Sequence, residues 1–177
     1  MLVSRTLVFI PGLLLKLDLQ QDIPWIVRKV INFATVQLYM KQDTCSPEAC
    51  SDKESNPITT IHVTQIVTPG RFNSQDTYIL DSVARESTVP IFGKITVAAK
   101  YVSVAEIEDA AVRTKFEADI SIVETVRSIE NGWETTSIWG IERIGGERYY
   151  VRYSLTKKGD QDLRLRLVYD FVREFKN

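Results

Sequence analysis

The feature that most constrains this chain is a run of turn dipeptides set between stretches where apolar and polar residues alternate. Asn131-Gly132, Gly145-Gly146 and Gly159-Asp160 separate 118–130, 133–144, 147–157 and 163–174. Such dipeptides accept the positive backbone angles of tight hairpin turns. Alternation with period two places one set of side chains on each face of a strand. The same alternation predicts strands around Val36, Leu38 and Met40, and at 60–68, 77–85 and 92–103, with Pro69-Gly70 marking a further turn. Eight antiparallel strands joined in succession commonly close on themselves to remove their edges. The expected fold is therefore all-β, an eight-stranded antiparallel up-and-down barrel, and a barrel of that size can hold one small ligand.

Two helices are expected to accompany the strands. Asp22 is placed as an N-cap, Pro24 suits the first turn, and Ile23, Ile26, Val27, Val30 and Phe33 recur at helical spacing, which predicts a helix over 22–34. Ser103 with Glu106 makes a capping box, and Val104, Ile107 and Ala111 form an apolar stripe, which predicts an inserted helix of about three turns within 103–117. The chain of 177 residues fits one domain, with 1–21 an N-terminal extension, 22–34 the helix and 35–177 the barrel.

Charge excludes some partners. With 22 basic and 23 acidic side chains the net charge is -1, which gives no field to gather phosphates, so no nucleic-acid partner is expected. The apolar run over 7–17 is broken by Pro11 and Gly12 and has no small-residue cleavage site after it. It is also shorter than the roughly 18 to 20 residues a membrane span needs. The expectation is a cytoplasmic protein with no membrane span, secretion being the alternative. Cys45 and Cys50 lie in the polar stretch 42–57. They read as two loop cysteines, a local disulfide being the alternative, and two thiols without neighbouring histidines make no zinc site.

The apolar-rich parity of each strand is expected to face inward. It carries Met40 and Gln65, Tyr101, Trp133 and Trp139, Tyr149 and Tyr153, and Tyr169 and Phe171 among aliphatic neighbours. An apolar wall with sparse donors is the composition of a small-molecule pocket. Gln65, Tyr101, Tyr149, Tyr153 and Tyr169 could each donate to a carbonyl oxygen, or be ordinary amphipathic core residues. Glu124 shares a parity with Ile120, Ile122 and Val126, and a carboxyl group on a buried face must be paired or kept protonated, which would suit acid or base work. Val123 and Ile129 favour the opposite parity, which would turn Glu124 to solvent. Strand 77–85 is equally open, with Tyr78, Leu80, Ser82 and Ala84 against Ile79, Asp81, Val83 and Arg85. His62, the single histidine, is expected to face out. Arg148 and Arg152 share a face with Tyr150, and with Arg164 and Arg166 are expected to form a basic outer patch.

Several segments resemble a family of fungal lipocalin-like (calycin) proteins: the run from Pro24-Trp25 to Val36, Ile91-Phe92-Gly93-Lys94, the run from Trp139-Gly140 through Gly145-Gly146 to Arg152, and 166–170. The resemblance covers most of the chain from Pro24 onward. The family often carries a tryptophan after a Leu-Asp pair, where this chain has Leu80-Asp81-Ser82. It also carries a histidine upstream of Phe-Gly, where this chain has Ser87 to Val89. The resemblance implies an association with secondary-metabolite gene clusters. In that setting, small cavity proteins can act as cyclases, isomerases or pericyclases.

Two functions follow as expectations. The first is a cofactor-independent cyclase of the pericyclase, Diels-Alderase or isomerase kind, with Glu124, Tyr101 and Tyr149 as catalytic residues. Its substrate, a hydrophobic precursor, would be bound by Gln65, Trp133, Trp139, Tyr153, Tyr169, Phe171 and Met40, with no cofactor and no metal. The second is a non-catalytic binder or carrier of a hydrophobic small molecule. A barrel filled by its own side chains is a third possibility. Oligomeric state is not read from the sequence.

Overall fold

The computed structural model describes residues 2–7, 35–45, 58–68, 73–89 and 92–175. Ten strands make one antiparallel sheet: β1 (Leu2–Leu7), β2 (Thr35–Cys45), β3 (Ile58–Thr68), β4 (Asn73–Ile79), β5 (Arg85–Val89), β6 (Gly93–Ser103), β7 (Ile120–Ser128), β8 (Trp133–Ile144), β9 (Glu147–Lys158) and β10 (Gln161–Phe175). Their order is β4-β3-β2-β1-β10-β9-β8-β7-β6-β5. The hairpins expected at Asn131-Gly132, Gly145-Gly146 and Gly159-Asp160 form, while the turn expected at Pro69-Gly70 lies outside the described residues. Gly145 and Gly146 both take positive φ, at 60° and 94°, as a two-residue turn of this type requires, and set Ile144 opposite Glu147.

The sheet is strongly curled. Laid flat, β4 and β8 would stand six strand spacings apart, roughly 29 Å, yet the rings of Tyr78 on β4 and Trp139 on β8 lie 6.4 Å apart. Likewise Gln42 on β2 donates to the hydroxyl of Tyr101 on β6 at 3.4 Å. The concave face so enclosed holds a core of Leu38, Ile61, Val63 and Tyr169, with Met40, Tyr78, Leu80, Ile122, Tyr150 and Leu167 packed against it. The β-ladder itself stays open between β4 and β5. There the chain crosses through residues 80–84, and Ser82, at φ 67°, donates its N–H to Ala99 O on β6 at 2.9 Å.

Four expectations are corrected. There are ten strands rather than eight, because Leu2–Leu7 is inserted between β2 and β10 and because the predicted strand 77–85 breaks at 80–84 into β4 and β5. Ser82 in a left-handed conformation ends the first of these. Residues 2–7, assigned to an extension, are thus part of the sheet. The hydrogen-bonded sheet is not a closed ladder. The inserted helix of three turns is instead a single 3-10 turn, Val104–Glu106, and one α-turn, α1 (Ala110–Arg113). The Ser103/Glu106 capping box is present, but Ile107 is drawn into a buried position at 4% exposure and its backbone turns extended. A second cap, Asp109, then starts the chain again. The predicted helix over 22–34 and Cys50 lie outside the described residues, while the backbone of Cys45 ends β2 opposite Ile58 rather than sitting in a loop.

The segment from Val104 to Asp119 runs as a strap over the convex face of β8, β9 and β10. Phe116 lies on Gly140 and edge-on to Tyr153, centroids 5.7 Å apart. Glu117 donates its N–H to Ile141 O at 2.9 Å and accepts from Arg143 and Arg148 at 2.7 and 3.0 Å. Val151 beneath it is fully buried. Both faces of β9 are therefore covered. No helix among the described residues is long and apolar enough to cross a membrane.

Candidate functional site

On the concave face, β8 and β9 present a ladder of polar pairs set by their register. Thr135 lies opposite Thr156, Ser137 opposite Ser154, and Trp139 opposite Arg152. The hydroxyls of the first two pairs bond to each other at 2.8 and 3.0 Å. Ser137 and Thr156 are fully buried, so these short hydroxyl side chains satisfy one another where water does not reach. β7 adds Glu124, opposite Ser137.

Glu124 is the centre of this face. It is buried at 3% exposure and its Oε2 accepts from Trp139 Nε1 at 3.1 Å and from Arg152 Nη2 at 2.9 Å. The same Nη2 donates to Ser137 Oγ at 2.9 Å. The Arg152 guanidinium lies over the Trp139 ring, 4.4 Å from its centroid, a favourable stack of a cation on an electron-rich face. Burial works most strongly against the Arg152 charge, but the Glu124 carboxylate together with Tyr169, Tyr78 and Tyr150 outweighs it and holds the guanidinium's pKa above its ordinary value. The Tyr78 hydroxyl is pushed well above its usual range by burial and then by the Glu124 charge. Burial also raises Tyr169, partly offset by Arg152. Both phenols are thus neutral donors at physiological pH.

The predicted site residues separate into two groups. Glu124, Trp133, Trp139 and Tyr169 are buried on the concave face, and Met40 and Gln65 are half-buried on it. Tyr101 shares that parity but sits at the rim, 42% exposed. Phe171 is in β10, with its side chain outside the described residues.

Tyr149 and Tyr153 are corrected. They lie on the convex face, Tyr149 opposite Glu142, while the Tyr153 hydroxyl donates to Glu142 Oε2 at 2.7 Å and accepts from Arg166 Nε at 2.9 Å. The tyrosine of β9 that faces inward is Tyr150, which stacks with Trp139 and Tyr169. The basic outer patch is corrected too. Arg152 is inside, and Arg148, Arg164 and Arg166 are each matched by an acid, Glu117, Asp109 and Glu142. The two open parities resolve with Glu124 facing inward and with Tyr78 and Leu80 packed on the core. His62 faces out, beside Asp43 and Thr77. Among the described residues no three His, Cys, Asp or Glu side chains converge as metal ligands would.

The concave face thus sets a few buried polar groups beside the packed apolar side chains of Leu38, Ile61, Val63 and Ile122. No protein-family model matches the chain. The protein named "Probable pericyclase scpY" from Mollisia scopiformis is 32% identical over 160 residues, covering 86% of this chain and 78% of that one. "Pericyclase pydY" from an Acremonium species is 29% identical over 159 residues, covering 86% of this chain and 80% of its own length. At this level of identity across most of both chains, this protein belongs to the family of fungal pericyclases that these two represent.

Proposed function

We propose that the protein is a cofactor-independent pericyclase-type cyclase that folds a flexible, hydrophobic secondary-metabolite precursor within a lipocalin-like interior. The observation that carries this reading is the 32% identity, over 86% of the chain, to the protein named "Probable pericyclase scpY". In a pericyclic step the new bonds form by reorganising electrons already in the substrate, so no group is transferred to or from the protein. What remains for the protein is to hold the reacting carbons in near-attack geometry and to place donors where charge grows. An aliphatic wall suits the first task and the Tyr169 hydroxyl suits the second. Met40, Gln65 and Trp133 would contact the apolar body of the substrate.

The test is incubation of purified protein with linear precursors made by neighbouring biosynthetic genes, following rate and diastereomer ratio against a boiled control. Acceleration with a changed ratio supports the reading. Tight binding with no change in either would replace the cyclase by a carrier.

A further inference from the structure

The concave face holds one charged donor that its neighbours leave partly unused. Arg152 Nη2 is committed twice, to Glu124 and to Ser137, and the guanidinium plane is fixed by the Trp139 ring beneath it. Its Nε–H is itself buried and has no acceptor among the described residues. The Arg152 side chain keeps 23% exposure, against 4% for Glu124. The side chain therefore keeps some open surface and one unmet, buried donor, whereas the carboxylate is closed off. A guanidinium held by a carboxylate, a hydroxyl and an indole has lost most of its rotamer freedom before any ligand arrives, so a further hydrogen bond from it costs little ordering.

The charge balance narrows what that ligand is. Glu124 already neutralises Arg152, so an anionic group would bring an uncompensated negative charge into a poorly solvated interior. A neutral acceptor adds none. In a cycloaddition the oxygen of a conjugated carbonyl is a neutral acceptor whose electron density rises in the transition state, where a fixed donor helps most. We propose that Arg152 is a catalytic residue that binds the carbonyl oxygen of a neutral conjugated ketone, ester or amide in the substrate, with Glu124 and Trp139 as its positioning residues. No proton moves: Arg152 stays protonated, and the carbon-carbon bonds form and break within the substrate.

This assignment rests on the pericyclase reading for its reaction, but its test does not. The probes are a long-chain α,β-unsaturated ketone and the allylic alcohol made by reducing its carbonyl. Infrared spectra of the bound ketone should show the carbonyl stretch shifted to lower frequency in the wild type, and unshifted in Arg152→Met. Binding of the ketone should weaken by about tenfold or more in that variant, with alcohol binding little changed, and Arg152→Lys should restore part of both effects. Because Arg152→Met strands the Glu124 charge, the double variant Arg152→Met/Glu124→Gln, with both charges removed, gives the same readout in a neutral interior. An equal carbonyl frequency in wild type and double variant overturns the assignment. A shifted carbonyl in a protein that accelerates no cyclisation leaves the carbonyl-binding role of Arg152 standing and removes its catalytic role together with the pericyclase reading.

Discussion

Replacing Gly140 by alanine tests how firmly the strap is seated on the sheet. A methyl group built on Gly140 meets three atoms of the Phe116 ring, Cδ1 at 2.5 Å, Cε1 at 2.6 Å and Cγ at 3.0 Å. Carbon atoms settle at about 3.5 to 4.0 Å, so the ring must recede by about 1 Å. It is not free to do so. The backbone of Phe116 bridges to Glu142, the next residue is hydrogen-bonded to Ile141, and the ring edge rests on Tyr153. Overpacking of this kind costs about 1–3 kcal/mol. In a Phe116→Ala background the methyl enters vacated space, and most of that cost should vanish. Urea unfolding of the wild type, both single variants and the double variant gives the coupling energy, expected at about 1–3 kcal/mol. If Gly140→Ala costs the same in both backgrounds to within about 0.5 kcal/mol, Phe116 does not occupy that seat and the account of the strap is wrong.

Other outcomes follow from the polar groups. Glu124→Gln leaves the Arg152 charge unpaired in the interior and should cost about 3 kcal/mol, at the lower end for buried pairs because Arg152 is partly exposed. Adding Arg152→Met should recover part of this in thermal or chemical unfolding, and a double variant no more stable than the single would contradict the ion-pair account. Asp81 is held at about 2 first by its hydrogen bonds from Arg85, against burial. A carboxylate with a depressed folded pKa adds stability that is complete above its unfolded value, about 3.9, and is lost as pH falls toward 2. Urea midpoints measured down that window should fall less steeply for Asp81→Asn, by of order 1 kcal/mol after solvent screening, and parallel curves would refute it. Of the seven tyrosines, Tyr78 and Tyr169 should stay protonated during alkaline titration until the protein unfolds. Phenolate absorbance rising for all seven in one wave near about 10, with the fold intact, would show that they are not buried as described.

The strand pattern was legible because β6, β10 and the first half of β8 each have one covered and one wetter face. β9 was not, for a physical reason: the strap covers its outer face while the core covers its inner one, so Val151 is buried outside and Arg152 inside, and alternation carries no contrast. The register could still have resolved it. A two-residue Gly145-Gly146 turn pairs Ile144 with Glu147, and counting back pairs Trp139 with Arg152. Opposite residues share a face, so a buried Trp139 required Arg152 beside it, and Tyr149 and Tyr153 on the other side. The same count across Gly159-Asp160 joins Thr156 to Leu163. The break at Ser82 had no such signal, since a serine in a left-handed conformation is not marked by composition. The strap escaped because its capping box was real while the apolar stripe behind it served to anchor an extended chain rather than a helix.

β1 pairs with β10 along its whole length, joining Leu2 to Phe175 and Leu7 to Tyr169. During synthesis the earliest strand of this sheet therefore waits for the latest, with one edge unmatched while some 150 residues are added. Contacts so remote along the chain close slowly, and an unmatched strand is open to wrong partners in the interval. Folding yield in the cell should accordingly depend on how quickly the segment after Gly159 emerges, with the concave core taking shape only when the first and last strands meet.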